Sequence, residues 1–128
     1  MRIKINSIHV DNQEKALNFY TGTLGFVKKH DIPVGDFRWL TIVSPEDPDG
    51  AELVLEPNAH PAAKTYQKAL YEDGIPFTML LVKNVKQEFN RLKELGVSFT
   101  LDPYQAGETT AAVFDDTCGN LIQIYEES

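Results

Sequence analysis

One cysteine is all the thiol chemistry this chain of 128 residues offers. Cys118 cannot close an internal disulfide, which fits a reducing compartment. Directly before Gly119, it reads as a small residue in a turn. Basic residues are also scarce: 12 lysines and arginines stand against 19 acids, for a net charge of −7. A non-specific binder of phosphate backbones needs a basic surface to release counterions. The one short basic cluster, "VKKH" at 27–30, reads as a solvated strand face. Nucleic acid and anionic membranes are therefore not expected as partners. No apolar run approaches the roughly 20 residues of a membrane span. "MRIKIN" lacks the apolar stretch of a secretory signal, so a cytoplasmic location is expected. A G-x-S-x-G motif is missing, and "GETTAAVF" lacks the spacing of a phosphate-binding glycine loop. No segment is of low complexity, and "SPEDPDG" (44–50) is a turn rather than a linker.

What the sequence does contain is a repeat. "NQEKALNFYTGTLGF" places Ala16, Leu17, Tyr20 and Leu24 on one helical face after the N-caps Asp11 or Asn12, and Gly25 stops the helix. "NVKQEFNRLKELGV" does the same, with Asn84 as cap, Val85, Phe89, Leu92 and Leu95 as stripe, and Gly96 as stop. Val10 and Val82, Asn12 and Asn84, and Leu17 and Phe89 each lie 72 residues apart. Leu24–Gly25 and Leu95–Gly96 lie 71 apart, so the first half gained one residue. "DGAELVLEP" (49–57) and "CGNLIQIYE" (118–126) are both a glycine turn leading into an alternating strand, 69 residues apart. Between helix and last strand, the first half offers "FVKKHDI" and "FRWLTIV", the second "VSFTLDP" and "TTAAVFD". Each half reads β-α-β-β-β, over 1–58 and 75–128 of a single domain spanning 1–128. "HPAAKTYQKALYEDG" fits neither half; its Ala63, Tyr66, Gln67 and Leu70 spacing predicts an extra linker helix over 60–73.

The motif A-x-x-F-Y-x-x-x-L-G-F and the closing G-N-x-I-x-[IL] resemble the vicinal oxygen chelate superfamily, the glyoxalase, bleomycin-resistance and extradiol-dioxygenase group. The resemblance covers nearly the whole chain and points to an uncharacterised glyoxalase-like subgroup. It implies an α+β fold of paired βαβββ modules, whose curled mixed sheets form a cleft around one small-molecule pocket. It also implies a homodimer. Fold analogy alone does not give function.

In the family's metalloenzymes, a histidine or glutamate on the first strand and a glutamate on the last strand of each half hold a divalent ion. The resemblance puts the first position fifteen residues before Tyr20, on Ile5, and the repeat carries it to Phe77. The last-strand position, four residues after Gly119, is Gln123, and the repeat carries it to Val54. Three of these four side chains have no donor atom, and Gln123 is a weak neutral oxygen ligand. No metal and no other cofactor is therefore expected; Glu52 or Glu56 would intrude if the register slipped at Val54.

Strand side chains alternate. Ile5 brings Ser7 and His9 to its face; Phe77 brings Met79 and Leu81; Val54 brings Glu52 and Glu56; Gln123 brings Leu121 and Tyr125. Trp39 or Arg38 adds a stacking surface or a cation, depending on register. The candidate pocket residues are thus Ile5, Ser7, His9, Trp39, Val54, Glu56, Phe77, Met79, Gln123 and Tyr125. Each has an ordinary alternative. His9 can bond a backbone carbonyl, Glu56 can end a strand in water, Tyr125 can pack at a core edge, and Phe77 and Met79 can be plain core. If His9 and Glu56 met, they could form an acid–base couple. The expected function is a glyoxalase/bleomycin-resistance-like protein that binds a small organic molecule in an apolar cleft without a catalytic metal. The alternatives are a metal-dependent lyase, isomerase or dioxygenase-type enzyme with the displaced set His9, Glu52, Glu56 and Gln123, and a pocketless scaffold.

Overall fold

A computed structural model of the chain describes residues 1–127. The order of elements is β1 (Ile5–Val10), α1 (Gln13–Asn18), β2 (Val27–Val34), β3 (Phe37–Val43), β4 (Glu52–Pro57), α2 (Pro61–Glu72), β5 (Thr78–Leu81), α3 (Val85–Glu94), β6 (Phe99–Ala106), β7 (Thr109–Asp115) and β8 (Leu121–Tyr125). The fold is α+β with two open, mixed four-stranded sheets, ordered β1-β4-β3-β2 and β5-β8-β7-β6. In each, the first and last strands run parallel and the other pairs antiparallel. The chain forms two compact units, Met1–Lys64 and the residues from Thr65 onward, with the boundary inside α2.

The repeat read from the sequence reappears as hydrogen-bond register. Ser7 pairs with Val54 across β1 and β4, and Met79 pairs with Gln123 across β5 and β8. These are the same two spacings, 72 and 69, that align the halves. The extra residue of the first half is also visible. Beyond α1 the helix continues as a π-helical turn, Phe19–Thr23, where the Leu24 N–H reaches back five residues to the Phe19 carbonyl at 3.0 Å. A π-turn is the way a helix absorbs one added residue without rotating its buried face. Tyr20 accordingly stays fully buried.

Both predicted caps form: the Asn12 side chain accepts from the Lys15 N–H and the Asn84 side chain from the Gln87 N–H, each at 2.9 Å. One face of each sheet meets its helix. In the first unit Ile8, Val10, Leu40, Ile42 and Leu55 are buried with Ala16 and Tyr20. In the second, Phe89 of α3 packs edge-on against Phe99, which packs edge-on against Phe114. Leu95 departs from the expected α3 stripe. It caps the helix at φ −83°, ψ 3°, turns away from the buried face and is exposed.

The extra helix predicted over 60–73 spans Pro61–Glu72. Its role is more specific than a link. The buried Gln67 amide donates to Asn120 Oδ1 at 3.0 Å, and Tyr71 hydroxyl donates to Asp115. The turn it grips is self-bonded: fully buried Asp116 accepts from the Cys118 and Asn120 N–H groups and from the Asn120 side chain. Cys118 is a small buried turn residue, as the sequence suggested. Gly119 sits at φ +104°, and a Cβ there would lie 2.8 Å from Gln67 Nε2.

Candidate functional site

The face of each sheet turned away from its helix carries the site candidates. In the first unit that face comprises Ile5, Ser7 and His9 of β1, Glu52, Val54 and Glu56 of β4, and Phe37, Trp39, Thr41 and Val43 of β3. Register therefore selects Trp39 over Arg38. Arg38 points to the other side, where its guanidinium bonds both oxygens of Asp31 at 2.9 and 2.7 Å and Glu14 at 2.6 Å. That pairing pulls the Asp31 carboxyl down to about 2 and raises Arg38, chiefly through the hydrogen bonds they share. In the second unit the corresponding face holds Met79, Leu81, Gln123, Tyr125, Val113, Leu101 and Tyr104.

All six first-half candidates lie on one sheet face, and so do Met79, Gln123 and Tyr125 of the second half. Phe77 sits just before β5. Its N–H donates to the Leu121 carbonyl at 2.8 Å, and its ring packs edge-on against Tyr66 of α2. His9 and Glu56 are ladder partners on β1 and β4. The Glu56 carboxylate also accepts from Ser7 Oγ at 3.1 Å near the half-buried end of β4. Gln123 is half-buried between Met79 and Val113.

The middle of the first face is closed and its margins are open. Thr41, Val43 and Val54 are buried, whereas Ile5, Ile32, Val34, Phe37 and Trp39 stand exposed, Trp39 at 36%. Part of this opening has a local cause. The β3–β4 ladder runs only from Val43↔Glu52 to Thr41↔Val54, although both strands continue. Beyond it, the Gln13 side chain bridges the two strands. It donates to the Arg38 and Leu55 carbonyls at 2.7 and 2.8 Å and accepts from the Arg38 N–H at 3.0 Å. The matching β7–β8 ladder stays zipped along all of β8.

Sequence reading missed one polar group on this face. Alternation from Val27 points Lys29 at Thr41 and sends His30 with Lys28 to the opposite side. A β-bulge between Lys28 and His30 adds a residue, so His30 pairs with Thr41. "VKKH" is therefore not uniformly a solvated face: His30 Nε2 lies 3.6 Å from Glu52 Oε1. Glu52, only 6% exposed, also accepts from Thr41 Oγ1 at 2.9 Å.

The residues at the four family ligand positions do not fit a divalent cation. Ile5, Val54 and Phe77 offer only carbon, and Gln123 offers one neutral oxygen. Among the described residues, no group of three or more His, Cys, Asp or Glu is gathered closely enough to hold a metal ion. Nor is any described helix long and apolar enough to cross a membrane.

The family profile of the Glyoxalase/Bleomycin resistance protein/Dioxygenase superfamily matches residues 3–124. The chain belongs to that superfamily. Among its members, the chain is 59% identical to the uncharacterized protein YurT of Bacillus subtilis (strain 168) over 127 residues, covering 99% of this chain and 100% of that protein. The crystal structure of UcmS2 superposes with a TM-score of 0.83 at 30% identity, over 98% of this chain and 97% of UcmS2. TnmS3, an antibiotic binding protein from Streptomyces sp. CB03234, superposes with a TM-score of 0.79 at 27% identity, over 100% of this chain and 97% of TnmS3. Both superpositions span nearly the whole of this chain, so the fold is shared.

Proposed function

We propose that this superfamily member binds a small, partly aromatic organic molecule on its helix-free sheet surface and does so without a catalytic metal. The observation that carries the reading is the replacement of donors by Ile5, Val54 and Phe77, together with the apolar, aromatic-edged sheet face around Ile5 and Val54 in the first unit. A surface of this kind, with a few convergent polar groups, is typical of organic-ligand sites. The likeness to TnmS3, an antibiotic binding protein, supports the same direction and makes antibiotic sequestration one form of the function. The protein works as a cytoplasmic homodimer in this account.

The test has two parts. Elemental analysis of protein purified without chelator is expected to find less than a tenth of an equivalent of any divalent metal. A thermal-shift panel of aromatic and glycopeptide antibiotics, bleomycin included, is expected to raise the melting temperature with at least one compound, because a ligand that binds only the folded state stabilises it by mass action. One tightly held divalent ion per chain would overturn the metal-free reading in favour of an enzyme using His9, Glu52, Glu56 and Gln123. No shift across the panel would favour a scaffold that binds nothing on this face.

A further inference from the structure

His30, Thr41 and Glu52 form a closed polar cluster on a face that is otherwise mostly apolar. The bulge in β2 takes the His30 N–H out of the regular ladder, and that N–H donates to Thr41 Oγ1 at 3.2 Å. The Thr41 hydroxyl passes its own proton donation on to Glu52 Oε1 at 2.9 Å. The His30 ring returns to the same oxygen, with Nε2 at 3.6 Å. Thr41 is fully buried and Glu52 nearly so, while the His30 side chain keeps 42% of its surface in solvent. A carboxylate taken out of water is costly unless it is paired, and for packing alone an apolar residue would serve as well. With Nε2 turned to the Glu52 carboxylate, the other ring nitrogen, Nδ1, has no part in the cluster. Bulges recur beside binding sites because they re-aim a side chain in this way.

What surrounds the ring limits what it can meet. Ile32 follows His30 on the same face of β2, and Trp39 pairs with Ile32, two pairs along the ladder from His30–Thr41. A flat ring lying on Trp39 would therefore bring its edge toward His30, at the roughly 7–8 Å spacing of diagonal ladder neighbours. Offset stacking on an aromatic face is favourable for such a ring.

We propose that His30, positioned by Glu52 and Thr41, is the polar anchor of this face, and that it hydrogen-bonds the hydroxyl group of a phenol-type aromatic ligand stacked on Trp39. The inference rests on the small-molecule reading above and names its ligand class. A single hydrogen bond of this kind changes affinity by about fivefold to tenfold.

The experiment compares 2-naphthol with 2-methoxynaphthalene, which has the same ring system and no hydroxyl proton to donate. Affinities are read by saturation-transfer NMR titration. Wild-type protein is expected to bind 2-naphthol about fivefold to tenfold more tightly. His30→Phe, checked for native folding by circular dichroism, is expected to bind both equally, at the affinity wild type shows for the methoxy compound. In wild type the imidazole signals of the 3 histidines are followed as well. Only those of His30 should move with 2-naphthol, which keeps the proposal testable if the variant fails to fold. Equal binding of both probes by wild type overturns the hydroxyl anchor and leaves the apolar site standing. A preference that survives His30→Phe, or a shift at His9 instead, overturns the assignment to His30. Binding of neither probe overturns the anchor and the aromatic-binding reading together.

Discussion

Two isoleucines on β1 separate a core face from the proposed binding face within one strand. Ile8 is fully buried on the helix side, and Ile5, three residues earlier, keeps 49% of its surface exposed on the helix-free side. Truncating Ile8 to alanine removes its transfer energy and leaves a cavity, at a cost of about 2–5 kcal/mol. Full burial of such a side chain is worth about 1.5–3 kcal/mol. Ile5 realises about half of that, and solvent fills the gap it leaves, so Ile5→Ala should cost about 1 kcal/mol or less. Both residues belong to the same compact unit, so they report on one unfolding event. With a urea slope of about 2 kcal/mol/M, Ile8→Ala lowers the midpoint by about 1–2.5 M and Ile5→Ala by about 0.5 M at most. Equal shifts at an unchanged slope would refute the reasoning. The helix-free face would then be core, and its apolar residues would need no ligand to explain them.

Acid should weaken the first unit through Asp31. Its folded carboxyl is depressed to about 2 from an ordinary 3.8, so the Arg38 pairing stabilises fully above about pH 4 and is lost as pH falls toward 2. Asp31→Asn should flatten that part of a pH–stability curve, and an unchanged acid limb would count against the pairing. Gln13→Ala leaves the Arg38 and Leu55 backbone groups unsatisfied where β3 and β4 part, and should cost about 1–3 kcal/mol in denaturant melts. Gly119→Ala forces a Cβ against Gln67 at a positive φ and should cost at least about 1 kcal/mol, with Gln67→Ala relieving the steric share but not the backbone share. Sedimentation equilibrium should return twice the mass of one chain if the homodimer is right.

The parts of the fold that obey a period were legible in the sequence. Helix caps at Asn12 and Asn84, and strand faces set by alternation from Ile5 and Gln123, depend on local geometry that repeats, and the repeat checked itself through two independent spacings. What escaped was whatever breaks the period. The bulge before His30 reverses the alternation of β2, and no residue in "VKKH" signals it, so the sequence reads as a solvated face where His30 meets the buried Glu52. The parting of β3 and β4 depends on a glutamine side chain from α1, a contact between distant segments that no local pattern encodes. Gln67 looked like part of an amphipathic stripe, and its bond to Asn120 depends on where α2 docks. The one-residue mismatch between the halves was visible as a number; that it is stored as a π-turn needed the structure.

Trp39 is the protein's one tryptophan, and it stands on the proposed binding face. Its fluorescence is therefore the most direct report on the central claim. Protein stripped of metal with EDTA and titrated with the aromatic compounds that raise its melting temperature should show saturable quenching. The same curve should be obtained after adding zinc, nickel or manganese. Quenching that appears only when a divalent ion is restored would contradict the account.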